Sequence, residues 1–148
     1  MSIQQILDQK DARLITIRPE DTVETTATVL TSNNIGAIPV RDVKGNMVGV
    51  ISERDLVRGF ADRGAAVMSL MVQDLMTRDV VSVKADESVK SAMEKMARSH
   101  IRHLPVVGEK GELVGVISQR DVMETRLQQT ELETEELRAY AIASGGNI

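Results

Sequence analysis

Val48-Gly49-Val50-Ile51-Ser52-Glu53-Arg54-Asp55 returns as Val114-Gly115-Val116-Ile117-Ser118-Gln119-Arg120-Asp121, an offset of 66 from Asp55 to Asp121. Carried back without a gap, that offset sets Gly45 on Gly111, Pro39-Val40 on Pro105-Val106, Ile35 on Ile101 and Val23 on Val89. It then sets Ile15-Thr16-Ile17-Arg18 on Val81-Ser82-Val83-Lys84, conservative at every step. A register held over that length is a tandem repeat. We read two copies, residues 15–60 and 80–127, with a helical segment at 1–14, a connector with a short helix at 61–79, and a C-terminal helix with a disordered tail at 128–148.

Each copy spells the same elements. A β-branched strand (Ile15–Arg18, Val81–Lys84) closes at Pro19 or Ala85, and Asp21-Thr22 or Glu87-Ser88 offers capping oxygens to a helix. Val23, Ala27, Leu30 and Asn34, and in the second copy Val89, Met93, Met96 and His100, predict one helical face. Strands follow at 37–40 and 103–107, then glycine turns, strands at 47–52 and 113–118, and a last helix beginning near Asp55 or Asp121. The fold class is α+β (α/β): tandem β-α-β-β-α units packed as a pseudo-two-fold module with flanking helices at both ends. One copy is too small to bury its own sheet, so the copies are expected to pack face to face.

Composition excludes whole classes of function. The chain has 148 residues, a net charge of −4 and no cysteine, which removes disulfides, thiolate metal sites and thiol nucleophiles. Its two aromatic residues, Phe60 and Tyr140, cannot form a stacking platform for bases, and the acidic balance opposes phosphate-backbone binding, so no nucleic-acid partner is expected. Apolar runs stop at about five residues against the ~20 a membrane helix needs. Met1 to Leu7 has no basic start and no long apolar stretch, so the expected setting is the cytoplasm. No P-loop, Gly-x-Ser-x-Gly or His-Glu-x-x-His occurs, so no catalytic residue and no catalytic cofactor is assigned.

The Pro-Val strand, the glycine turn and Gly-Val-Ile-Ser-x-x-Asp, each present twice, resemble the cystathionine-β-synthase (CBS) domain family over most of the chain. Such tandems are similar to Bateman modules, and the long helix after the second copy looks like that of stand-alone bacterial members. The resemblance implies a non-catalytic regulatory module that binds an adenosine compound between repeats: AMP, ADP, ATP, NAD(H) or S-adenosylmethionine. It also implies a homodimer acting on an unnamed protein target. Leu56, Val57, Phe60, Val122 and Met123 on the last helix of each copy suit the dimer, since one module cannot cover them all.

The residues accord with that implication. A carboxylate such as Asp121 or Asp55 accepts from two vicinal hydroxyls, which is how ribose is held. Ser118, Arg120, Ser52 and Arg54 at helix starts suit phosphate. The adenine walls are expected from Val83, Leu104 and Pro105, and from Ile17, Ile38 and Pro39. An isolated Ser-x-x-Asp is more often a helix cap, and two copies in this context favour the ribose reading over it. His100 and His103 form a His-x-x-His without further ligands, so no metal is assigned. Arg102 and His103 resemble the family's phosphate-contacting segment, whereas the first copy has Gly36-Ala37 there, so the two clefts are expected to be unequal. The rival readings are an NAD(H) sensor of the same fold and a purely structural dimerisation module.

Overall fold

The computed structural model describes residues 1–10 and 14–145. Its elements are α1 (Ile3–Gln9), α2 (Val23–Asn33), β1 (Ala37–Arg41), β2 (Met47–Ser52), α3 (Glu53–Arg63), α4 (Val72–Leu75), β3 (Val83–Lys84), α5 (Val89–Ser99), β4 (His103–Val107), β5 (Leu113–Ser118) and α6 (Gln119–Ala143). A 3₁₀ turn, Gly64–Ser69, joins α3 to α4. Mixed helix and sheet in two like units is the architecture that the repeat implied.

The repeat is kept down to register. β1 pairs antiparallel with β2, Ala37 opposite Ser52, and β4 pairs with β5, His103 opposite Ser118, with a bulge at Val40/Arg41 and at Val106/Val107. Gly45 and Gly111 turn the hairpins at φ 89° and 80°, where a side chain would strain the backbone. Thr22 and Ser88 cap α2 and α5, while Ser52 and Ser118 cap α3 and α6 with the third helical residue, Asp55 or Asp121, closing the box. Asn34 and His100 end α2 and α5 in the left-handed conformation, φ 55° and 53°.

The leading strands are shorter than the β-branched runs predict. In the first copy only Ile17 pairs, parallel with Val40, and in the second only Val83 and Lys84 pair with β4. Asp21 Oδ2 and Glu87 Oε2 accept the Arg18 and Lys84 N–H, turning the chain toward α2 and α5 at the end of these segments. The helical faces also differ by one position. Thr26 and Ala92 are buried where Ala27 and Met93 were expected, and the Thr26 hydroxyl donates to the Thr22 carbonyl at 3.0 Å.

The short helices are exchanged between copies, which the sequence reading did not foresee. α1, ahead of the first copy, puts Ile3 and Ile6 into the second copy's core with Val83, Met96, Leu104 and Ile117. α4, the short helix of the connector, puts Val72 and Leu75 against the first copy's core of Ile17, Leu30, Ile38, Val40 and Ile51. The result is two separate cores, each closed by a helix from the far side. Gly59 lies inside α3, where a Cβ would stand 2.8 Å from Leu75 Cδ1 and 3.0 Å from Val67 Cγ2. The C-terminal helix is one unbroken element to Ala143. The tail expected to be disordered falls, from residue 146, outside the described residues.

Candidate functional site

Two cavities lie between the repeats. One is a wide cleft of about 1670 Å³, and the other encloses about 280 Å³. Each is lined by residues of both repeats. The large cleft has Ser118, Arg120 and Asp121 from the second copy facing Ile15, Ala37 and Pro39 from the first. The smaller has Ser52, Arg54 and Asp55 facing Val81 and Pro105.

Four of the residues expected as adenine walls are elsewhere. Ile17, Ile38, Val83 and Leu104 are at most 5% exposed, belong to the two cores and border neither cavity. Side chains alternate across a strand, so burying Ile38 and Leu104 leaves Ala37 with Pro39, and Pro105, on the cavity side. In the leading segments the same alternation turns Ile15 and Val81 to the cavities in place of Ile17 and Val83.

Asp121 closes the helix cap with one of its two carboxylate oxygens. Its Oδ2 accepts the Ser118 N–H and the Lys10 ammonium, both at 2.8 Å. No described residue donates to Oδ1. Burial alone would raise this carboxyl's pKa, but the Lys10 ammonium and the Ser118 donors hold it below the ordinary aspartate value. At Asp55 both oxygens are engaged. Oδ2 accepts the Ser52 N–H (2.9 Å) and hydroxyl (3.0 Å), and Oδ1 accepts the Thr77 hydroxyl at 3.2 Å. Arg120, expected at phosphate, pairs with Glu124 in solvent at 3.0 Å.

Lys10 and Thr77 are the site residues that the sequence reading missed. They arrive on the exchanged helices, Lys10 as the residue closing α1 and Thr77 just past α4. Lys10 also donates to the Val116 carbonyl at 2.9 Å, so it bridges the floor of the large cleft. Neither residue lies in the repeat, and no pattern marked them.

Arg102 and His103 border both cavities. The Arg102 guanidinium has no hydrogen-bond partner among the described residues. The His103 ring packs on Gly36, where a Cβ would stand 3.3 Å from its Cε1. Gly36 thus leaves room for the His103 ring. Burial pushes the His103 imidazole below its ordinary pKa, with Lys10 and Arg102 adding to the push and Asp121 and Glu53 opposing it. His100, the other histidine, ends α5 and borders the smaller cavity. Among the described residues no group of three His, Asp or Glu has the geometry of a metal site.

The CBS domain family model matches residues 10–62 and 72–127. A CBS-domain containing protein, ATU1752 from Agrobacterium tumefaciens, superposes with a TM-score of 0.79 at 35% identity, covering 84% of this chain and 92% of that one. CBSX2 in complex with AMP superposes at 0.72 and 25% identity, covering 80% and 90%. The CBS domain pair of MJ0100, in complex with 5′-methylthioadenosine and S-adenosyl-L-methionine, superposes at 0.75 and 25% identity, covering 88% and 98%. Among curated relatives, the inosine-5′-monophosphate dehydrogenase of Methanocaldococcus jannaschii is 34% identical over 113 residues. This chain spans 22% of that enzyme's length.

Proposed function

The chain belongs to the CBS-domain family, and from that membership we propose that it is a non-catalytic regulatory module that takes an adenine nucleotide into the cleft between its repeats. The observation that carries the reading is the large cleft itself. An Asp121 oxygen without a described donor, an Arg102 guanidinium without a partner among the described residues and an apolar wall of Ile15, Ala37 and Pro39 meet in one cavity. In the proposed pose Asp121 accepts the ribose hydroxyls, Arg102 with His103 takes the phosphate, and adenine lies on the wall. Ser118 stays a cap whose neighbouring helix N–H groups favour the anion. The smaller cavity, with Ser52, Arg54 and Asp55, is the weaker site. Binding would bias the packing of repeats within a homodimer, to the extent of its differential affinity for the two arrangements, and a protein target would read that change in the cytoplasm.

NAD(H) is the second reading, favoured by one feature: the cavities share Pro39, Arg102, His103 and Val116, so one dinucleotide can reach into both. Mass spectrometry of ligand released from freshly purified protein, with thermal scans in AMP, ADP, ATP and NAD, tests these readings. Ligand at 100 times its dissociation constant adds about 2.7 kcal/mol. No released ligand and no melting shift with any of the four would leave a structural dimerisation role. Steady phosphate release from ATP would reject the non-catalytic reading.

A further inference from the structure

We propose that the outer part of α6 is a pairing surface for a second copy of this chain, with the two α6 helices side by side and parallel. α6 has 25 residues, roughly 37 Å at the helical rise. Its first turns are held by the module through Val122 and Thr125, both buried. From Arg126 to Tyr140 every residue is exposed, so this stretch keeps its helical hydrogen bonds without tertiary packing. Unsupported helices of such length are marginal in water. This one also carries Glu131, Glu133, Glu135 and Glu136, with Glu131 and Glu135 repelling at four-residue spacing. Such a helix gains from a partner that covers its apolar side and offers opposite charges to some of its own.

The spacing identifies the face. Met123, Leu127, Thr130, Thr134, Leu137 and Ala141 follow by alternate steps of four and three, the interval of a helix-pairing seam. The two threonines fit because their hydroxyls are already used: Thr130 donates to the Arg126 carbonyl at 3.0 Å and Thr134 to the Thr130 carbonyl at 2.9 Å. The charges beside the seam identify the occupant. Glu131 and Arg138 stand on one flank, and Arg126 and Glu133 on the other. In a parallel pair each residue of the second flank faces the first flank five positions on. Arg126 then meets Glu131 of the partner subunit, and Glu133 meets Arg138 of the partner subunit. An antiparallel pair would set Glu131 and Glu133 against their own copies. Met123, Leu127 and Thr130 also border the large cleft, so a second α6 would lie along its mouth.

The chain's lack of cysteine makes the test clean. Full-length Leu137→Cys and Leu132→Cys variants, with side chains of similar exposure (69% and 58%), are treated with a short bis-maleimide. The seam position should give a dimer band at least fivefold stronger than the outer position. Arg126→Glu, made in Leu137→Cys, should remove most of that band, and adding Glu131→Arg should restore it. Equal bands from both cysteines, failure of Glu131→Arg to restore, or light scattering of the wild type showing only monomer at micromolar concentration overturns the proposal. So does efficient cross-linking found only in a mixture of Leu127→Cys and Leu137→Cys, since that reports antiparallel helices. All these positions are exposed, so an unchanged melting temperature in each variant confirms that the module itself is intact.

Discussion

Asp121→Asn isolates the pair that joins the N-terminal helix to the second repeat. In the wild type, Asp121 Oδ2 holds the Lys10 ammonium and the Ser118 N–H at 2.8 Å, with side chains 28% exposed for Lys10 and 18% for Asp121. Asparagine keeps a neutral acceptor for the cap and loses the ion pair. Exposed pairs contribute about 0.2–1 kcal/mol, and breaking a buried one costs about 3–5 kcal/mol. This half-buried pair falls between them, at about 1–2 kcal/mol. For a chain of this size each kcal/mol moves the midpoint by roughly 2–4 °C, so the variant should melt about 2–8 °C lower at pH 7 without ligand. The pH dependence follows from the lowered carboxyl pKa. Because the folded value lies below the unfolded one of about 3.9, the contribution is complete above that pH and is lost as pH falls through the folded value. Circular-dichroism melts should therefore show a constant gap between variant and wild type from pH 7 to about 5, closing at lower pH. Equal midpoints at pH 7, or a gap that persists in acid, would refute the assigned pairing.

Other substitutions probe the rest of the site. Arg102→Ala should weaken AMP by roughly 10- to 150-fold, a lost hydrogen bond between charged groups at about 1.5–3 kcal/mol, and leave adenosine nearly unchanged; equal losses in titration calorimetry would make Arg102 structural. Burial holds the His103 pKa down, so the neutral ring belongs to the unliganded fold, and stability should fall as pH drops below its unfolded value of about 6.5. A phosphate beside it would draw a proton, so AMP affinity should rise over the same range and His103→Gln should flatten both profiles. Gly49→Ala and Gly115→Ala are equivalent in the repeat but should differ in cost. At Gly49 a Cβ meets the Thr77 carbonyl oxygen at 2.8 Å, whereas at Gly115 it meets the movable Leu7 Cδ2 at 2.9 Å. Urea titration should find about 1–3 kcal/mol lost in the first and clearly less in the second.

Much of this protein was legible in its residues. The offset from Asp55 to Asp121 predicted two like units, and the paired register of Ala37 with Ser52 and His103 with Ser118 repeats it. Those features are local: a glycine at positive φ, a Ser-x-x-Asp box and alternating strand residues are decided within a few positions of chain. The capping half of that box was readable for the same reason. What escaped was which face of each strand meets which neighbour. Ile17, Ile38, Val83 and Leu104 have the apolar character of a binding wall, but they fill cores that exist only once the hairpins have packed.

The exchange of α1 and α4 lay wholly beyond the sequence. Nothing in Ile3–Gln9 says that it closes the repeat beginning some 70 residues on, because its apolar face would serve either core. Lys10 reaches Asp121 across 111 positions, a pairing made by the geometry of two packed units and by no periodicity in the chain. Gly36 reads as a missing charge until His103 is seen seated on it. Sequence sets what each segment can become because dihedral preference and i-to-i+3 hydrogen bonds act along the chain. Tertiary structure decides which carboxylate keeps an oxygen without a donor among the described residues, since desolvation and ion pairing act through space.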